Sequence, residues 1–302
     1  MMASQKKRGL AMSRTGYGIA VIGLIGFFGF PLMSANSAPA AAPDMSGAWA
    51  RLTFGFEPPA SGLGPIGRYS NQPNQGGNFN NPNLKPAAAA IVKQRSETQR
   101  RGEDYPNPSL NCYPMASPYI FRVQEFSVIQ KKDEVVFLFM QDHQVRRVKL
   151  NAQHPAKVTP SWYGDSIGRY EGDTLIVDTV GYKLGPFPLA DQFGSPFSEA
   201  LHVTERYHLI DYDVAKGLQE RNVSREGPVA TEQAAFVDEN YKGKGLKIDF
   251  TVEDPNVFNQ PWSASVTLRK AGGWVENVCA ENINEYYLNG QTSVPRADKP
   301  DF

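Results

Sequence analysis

The chain has 302 residues, and its 31 Lys and Arg balance its 31 Asp and Glu. That balance, with no local basic run in the body of the chain, removes the attraction a general nucleic-acid binder needs. Apolar content of 41% and charged content of 21% argue against disordered and fibrous classes, while 27 Gly and 23 Pro suit many short strands joined by turns.

The N-terminus reads as an export signal over residues 1–40. Lys6, Lys7, Arg8 and Arg14 form a positive region, followed by the apolar or small-residue run Gly16 to Met33. Ala38 and Ala40 place small residues at the −3 and −1 positions, so cleavage is expected before Ala41. An uncleaved anchor is the alternative, since the run of about 18 residues borders on the length that spans a bilayer. Gly content, Pro31 and the small-residue site favour the cleaved form, and no Arg-Arg pair indicates twin-arginine export. No later segment reads as a membrane span. The expected location is periplasmic or secreted.

Residues 41–302 are expected to form one domain. A short strand at Ser46–Phe56 opens it, followed by an irregular arm over 57–84, crowded with Pro, Gly and Asn. Gly62, Gly64 and Gly67 spell a dinucleotide fingerprint, but Pro65 lies inside it and no βαβ pattern surrounds it. Pro86 is suited to the first turn of a helix running to about Arg101. Cys112 and Cys279 remain as the two cysteines. In an oxidising compartment such a pair forms one disulfide, worth about 4 kcal/mol on the chain-entropy model; two separate buried thiols are the other reading.

From Tyr119 onward the pattern is strand after strand. Tyr119–Gln130, the turn 131–134 and the run to Gln141 read as a hairpin, and Glu171-Gly172 as the turn of another. Leu246, Ile248, Phe250 and Val252 alternate with polar residues, as do Trp262, Ala264, Val266 and Leu268. Residues 212–244 lack such periodicity and read as a polar loop insertion. A meander of nine or ten strands leaves exposed edges unless it closes, so the expected fold is mainly β: an antiparallel up-and-down barrel with an irregular arm and one helix. A two-sheet sandwich is the alternative.

The segments 141–150 (QDHQVRRVKL), 161–181 (SWYGDSIGRYEGDTLIVDTVG), 198–207 (SEALHVTERY) and 252–262 (VEDPNVFNQPW) resemble a largely uncharacterised family of secreted bacterial proteins. The resemblance covers most of the mature chain and implies a calycin-like, lipocalin-type barrel. The sequence departs from shorter relatives at 212–244. No activity transfers with the resemblance; fold analogy alone suggests a small-molecule cavity.

Candidate chemistry lies in charged residues embedded in the strands. Glu205 shares a face with Leu201, Val203, Tyr207 and Leu209, so it needs a partner among Arg146, Arg147 and Arg169 or stays protonated. It reads either as an acid/base group or as a buried pair fixing register. His143 sits at a rim with Arg147 expected on the same side, and reads either as a proton-transfer group or as a solvated turn histidine; His202 faces away from Glu205. Trp162, Tyr163 and Asp165 form an aromatic loop that reads equally as a site for a planar or sugar-like ligand and as a plug of the barrel. His143, Arg147 and Glu205 are therefore expected to project into one cavity, with Trp162 and Asp165 at its mouth. Catalytic roles fall to His143, Glu205 and Asp165, and substrate contacts to Arg146, Arg147, Arg169, Trp162, Tyr163 and His202. His154, before a proline in a polar loop, reads as ordinary.

No serine-hydrolase elbow, zinc-protease motif, P-loop or cysteine cluster occurs, and no cofactor or metal is expected. The expected function is an exported, cofactor-independent acid/base enzyme (lyase, isomerase or hydrolase) acting on a small organic molecule. A lipocalin-like carrier of an apolar or aromatic ligand is the alternative. The expected partner is a small molecule, with no nucleic acid and no integral membrane segment after the signal is removed.

Overall fold

The structure is a computed structural model that describes residues 42–70, 76–123, 125–227, 237–273 and 277–279. The expected leader and its cleavage before Ala41 lie outside the described residues. Among the described residues no helix is long and apolar enough to cross a membrane.

Nine strands close into a barrel in chain order. They are β1 (Gly47–Ala50), β2 (Glu125–Gln130), β3 (Glu134–Phe139), β4 (Val145–Leu150), β5 (Asp165–Glu171), β6 (Thr174–Val180), β7 (His202–Ile210), β8 (Gly245–Glu253) and β9 (Trp262–Lys270). The barrel is mixed, which corrects the all-antiparallel expectation. β4 and β5 run parallel, pairing Lys149 with Ile167 and Leu150 with Gly168, whereas the other neighbours, β9 and β1 included, are antiparallel. The reason is parity. Each antiparallel step reverses strand direction, and an odd ring cannot close on reversals alone. The connection 151–164 is long enough to carry the chain back to the same end for the parallel step. The β5–β6 hairpin turns where expected, with Gly172 at φ 62°.

Alternation along β8 and β9 points the apolar rows inward, as read from the sequence. Phe126, Phe137, Phe139, Tyr207, Phe250 and Trp262 fill the interior, with Phe137 stacked on Tyr207 at 5.0 Å between ring centroids. The first residues of the expected Tyr119–Gln130 strand instead form a 3₁₀ turn, Tyr119–Arg122, which packs Phe121 against Phe250 at 5.5 Å. Each large apolar side chain so buried contributes about 2 kcal/mol. These interior aromatics are at most 2% exposed, so they are packed away from solvent.

Two helices flank the barrel. α1 (Pro86–Arg100) begins with proline in its first turn and buries Ala88, Val92 and Ser96, a stripe at helical spacing. α2 (Tyr212–Glu226) occupies the first half of the span expected to be a loop. Its buried stripe is Ala215, Gln219 and Asn222, so it docks by hydrogen bonds rather than by apolar area. Gln219 Nε2 donates to the carbonyls of Ala50 and Thr267, and Asn222 Nδ2 to Thr53 Oγ1 and the Gly55 carbonyl. The arm after β1 then pairs with β9, Glu57 N donating to Ser265 O at 2.8 Å and Ser263 N to Leu63 O at 2.8 Å. This covers backbone groups that a short β1 leaves free.

Cys112 and Cys279 lie at bonding distance, with sulfurs 2.12 Å apart and Cα atoms 5.5 Å apart. Such a pair is compatible with an oxidising compartment.

Candidate functional site

Two polar constellations lie on opposite faces of the same strands. Inside, Arg146 of β4 meets Glu205 of β7 through NH1, 2.9 Å from each carboxylate oxygen. Its NH2 donates to Thr179 Oγ1 at 2.7 Å and its Nε to Ser166 Oγ at 3.2 Å, while Tyr207 OH donates to Glu205 Oε2 at 2.9 Å. The two charged side chains are 1% and 0% exposed. Burial works against the guanidinium charge, but the Glu205 carboxylate more than offsets it and holds Arg146 protonated beyond its ordinary range. Burial first, and the Glu205 charge second, push the Tyr207 phenol well above its ordinary value. The group is dry and mutually satisfied, the arrangement of a register-fixing pair.

On the outer face, five side chains from β4 to β7 form a hydrogen-bonded chain. Asp165 opens β5, Asp178 lies on β6, His202 opens β7, and His154 reaches in from the β4–β5 connection. His154 Nδ1 lies 2.8 Å from Asp165 Oδ2, and its Nε2 lies 3.3 Å from Asp178 Oδ2. The other side of Asp178 holds His202, whose Nε2 lies 2.8 Å and 3.0 Å from the two carboxylate oxygens. Lys149 of β4 donates to the far oxygen of Asp165. Burial works to raise the Asp165 pKa, but hydrogen bonds from Lys149 and His154 outweigh it and hold the carboxyl below its ordinary range. His202 and Asp178 remain 34% and 29% exposed, so solvent or a ligand reaches them.

Register explains the meeting. Asp178 pairs with Ile167 on one side and Thr204 on the other, so Asp165 and His202, each two residues along their strands, stand diagonally beside it. With Asp178 taking Nε2, the His202 Nδ1 makes no hydrogen bond among the described residues. This is the orientation a carboxylate imposes on a histidine that exchanges protons through its other nitrogen. Among the described residues no three His, Cys, Asp or Glu side chains are arranged to hold a metal ion.

Beside His202 on the outer face of β7 follow Thr204 and Arg206, which with residues of β8 and β9 line a groove of about 210 Å³ beneath the arm. At the barrel end near the start of β5, Trp162 packs edge-on against Tyr113 at 5.8 Å, with Lys183 4.8 Å above its ring.

The structure thus divides the expected site. Glu205 and Arg146 meet inside, but His143 and Arg147 do not join them. His143 is exposed in the β3–β4 turn, where Asp142 and His143 have φ of 56° and 49°. Those left-handed residues break the alternation, so the side His143 takes does not carry into β4. Arg147 therefore points outward to Glu134 at 2.7 Å and is 70% exposed. Arg169 also faces outward, paired with Glu171. Tyr163 is spent on Gln144, its hydroxyl donating to Oε1 at 3.2 Å. Asp165 and His202 do converge, through Asp178 and His154, which sequence reasoning missed. The one available signal was that Asp165, Asp178 and His202 each lie on the polar side of their strands.

Fold and site together define a closed mixed β-barrel with a filled interior and a polar, partly exposed outer-face site. No protein-family model, curated protein or solved structure matches the chain.

Proposed function

We propose that the protein is an exported acid/base enzyme whose chemistry takes place on the outer face of the barrel, at His202. The observation that carries this reading is the convergence of His154, Asp165, Asp178 and His202 in one hydrogen-bonded chain that stays open to solvent. Asp178 fixes the imidazole of His202, whose Nδ1 takes a proton from a water that attacks the bound ester or glycoside and returns it to the departing oxygen. His154 and Lys149 support the two carboxylates. A carrier holding an apolar ligand inside the barrel finds no support in an interior filled by aromatic side chains. The cysteine pair, compatible with an oxidising compartment, and the N-terminal basic and apolar runs support export.

A panel of nitrophenyl esters and nitrophenyl glycosides, incubated with the purified protein, tests the reading. At least one class is expected to turn over, and His202→Ala is expected to lower that rate about a hundredfold or more. Absence of turnover across the panel, or an undiminished rate in a folded His202→Ala, would contradict it.

A further inference from the structure

The groove beside His202 has its own chemistry. Between its two anchors on β9, the arm stands off the sheet, and residues 59–61 form a wall over the outer face of β7 to β9. The sheet side presents three alcohols, Thr204, Thr251 and Ser263, one guanidinium, Arg206, and one carboxylate, Asp249. Thr251 and Ser263 share one hydrogen bond at 2.9 Å, which leaves each with capacity for another partner. Thr204 and Arg206 make no side-chain hydrogen bond or ion pair among the described residues. Arg206 is exposed although it stands directly opposite Asp249 in the β7–β8 register.

These groups complement a molecule that carries several hydroxyls and one carboxylate. The alcohols donate to and accept from ligand hydroxyls, Asp249 accepts from them, and the planar fork of Arg206 donates two hydrogen bonds to a carboxylate. Asp249 also lies 3.7 Å from Lys247 Nζ and 3.7 Å from His208 Nδ1, which counter its charge, so the anion grip rests on Arg206. The volume of about 210 Å³ is below the range of drug-sized pockets, which suits a single sugar ring rather than an oligomer or an acyl chain.

We propose that this groove binds a sugar acid, with Arg206 gripping its carboxylate. Residues 202, 204 and 206 succeed one another on the outer face of β7 at roughly 7 Å per step, so a ring held at Thr204 and Arg206 presents its far side to His202. That last placement rests on the proposed enzyme; the binding itself does not.

Titrating the purified protein with D-glucuronate, D-glucose and acetate, followed by amide chemical shifts, tests the inference. Glucuronate is expected to saturate, with shifts at Thr204, Arg206 and Thr251, and to bind about tenfold or more tightly than glucose or acetate. Arg206→Gln, at an exposed position, is expected to weaken glucuronate about tenfold and leave glucose unchanged. Thr251→Val is expected to weaken both sugars. Glucuronate binding no tighter than glucose, affinity untouched by Arg206→Gln, or no saturable binding would each overturn the inference. Glucuronate binding without turnover of any probe would remove the enzyme reading alone, and turnover without groove binding would remove this inference alone.

Discussion

Removing one member of the Arg146–Glu205 pair leaves a buried charge without its counterion, and nothing in the dry barrel interior replaces it. Arg146→Met or Glu205→Leu alone is therefore expected to cost about 3–5 kcal/mol, whereas the double variant costs much less, because both desolvation penalties vanish together. A double-mutant cycle by urea denaturation checks this; additive costs would argue against a coupled pair. Glu125 is a different case. It is 0% exposed, neither carboxylate oxygen has a hydrogen-bond partner among the described residues, and burial raises its pKa from 4.5 to about 7. A carboxyl whose folded-state pKa lies above its unfolded value keeps its proton longer in the native state. The contribution of Glu125 to stability is then full below about pH 4.5 and declines as pH rises to about 7, by about 3 kcal/mol in all. Glu125→Gln is expected to flatten that decline and to be the more stable protein at pH 8. Parallel stability curves for the two proteins would rule the assignment out.

At the scale of elements, α2 is held by polar side chains that bond buried backbone carbonyls. Gln219 bonds the carbonyls of Ala50 and Thr267 and accepts from Arg269 Nε at 2.8 Å. Gln219→Leu keeps the volume but strands these partners, so a loss of about 2 kcal/mol is expected with an unchanged denaturant slope. A loss below about 0.5 kcal/mol would mean that the helix is held by something else. The same feature explains why this helix was not legible in the sequence. A hydrophobic-periodicity reading detects Ala88 and Val92 in α1 but not Gln219 and Asn222 in α2. The inward rows of β8 and β9 were legible because one face of each is plainly apolar. The parallel β4–β5 step was not, because it follows from the parity of the whole ring and from no local residue. The inner site was legible in part: Glu205 announced its need for a partner. The phase that selects Arg146 over Arg147 was hidden by the left-handed turn at Asp142 and His143. The outer site depends on strand register and on a loop histidine, neither of which spacing along the chain reveals.

For the molecule as a whole, the barrel is a packed scaffold with its open polar groups displayed outside. The alternation that fills the interior with aromatics also places Asp165, Asp178, His202, Thr204 and Arg206 on the outer face. The Cys112–Cys279 pair then ties the connection between β1 and β2 to the segment after β9. The central claim is that proton transfer occurs on the outer face and not at the buried pair. Its most direct test is the turnover of one responsive probe by His202→Ala beside the Arg146→Met/Glu205→Leu double variant. Turnover is expected to fall about a hundredfold or more in the first and to stay within a few-fold of the parent in the second. The reverse ordering, with the interior variant inactive though folded and His202→Ala at full rate, would contradict it.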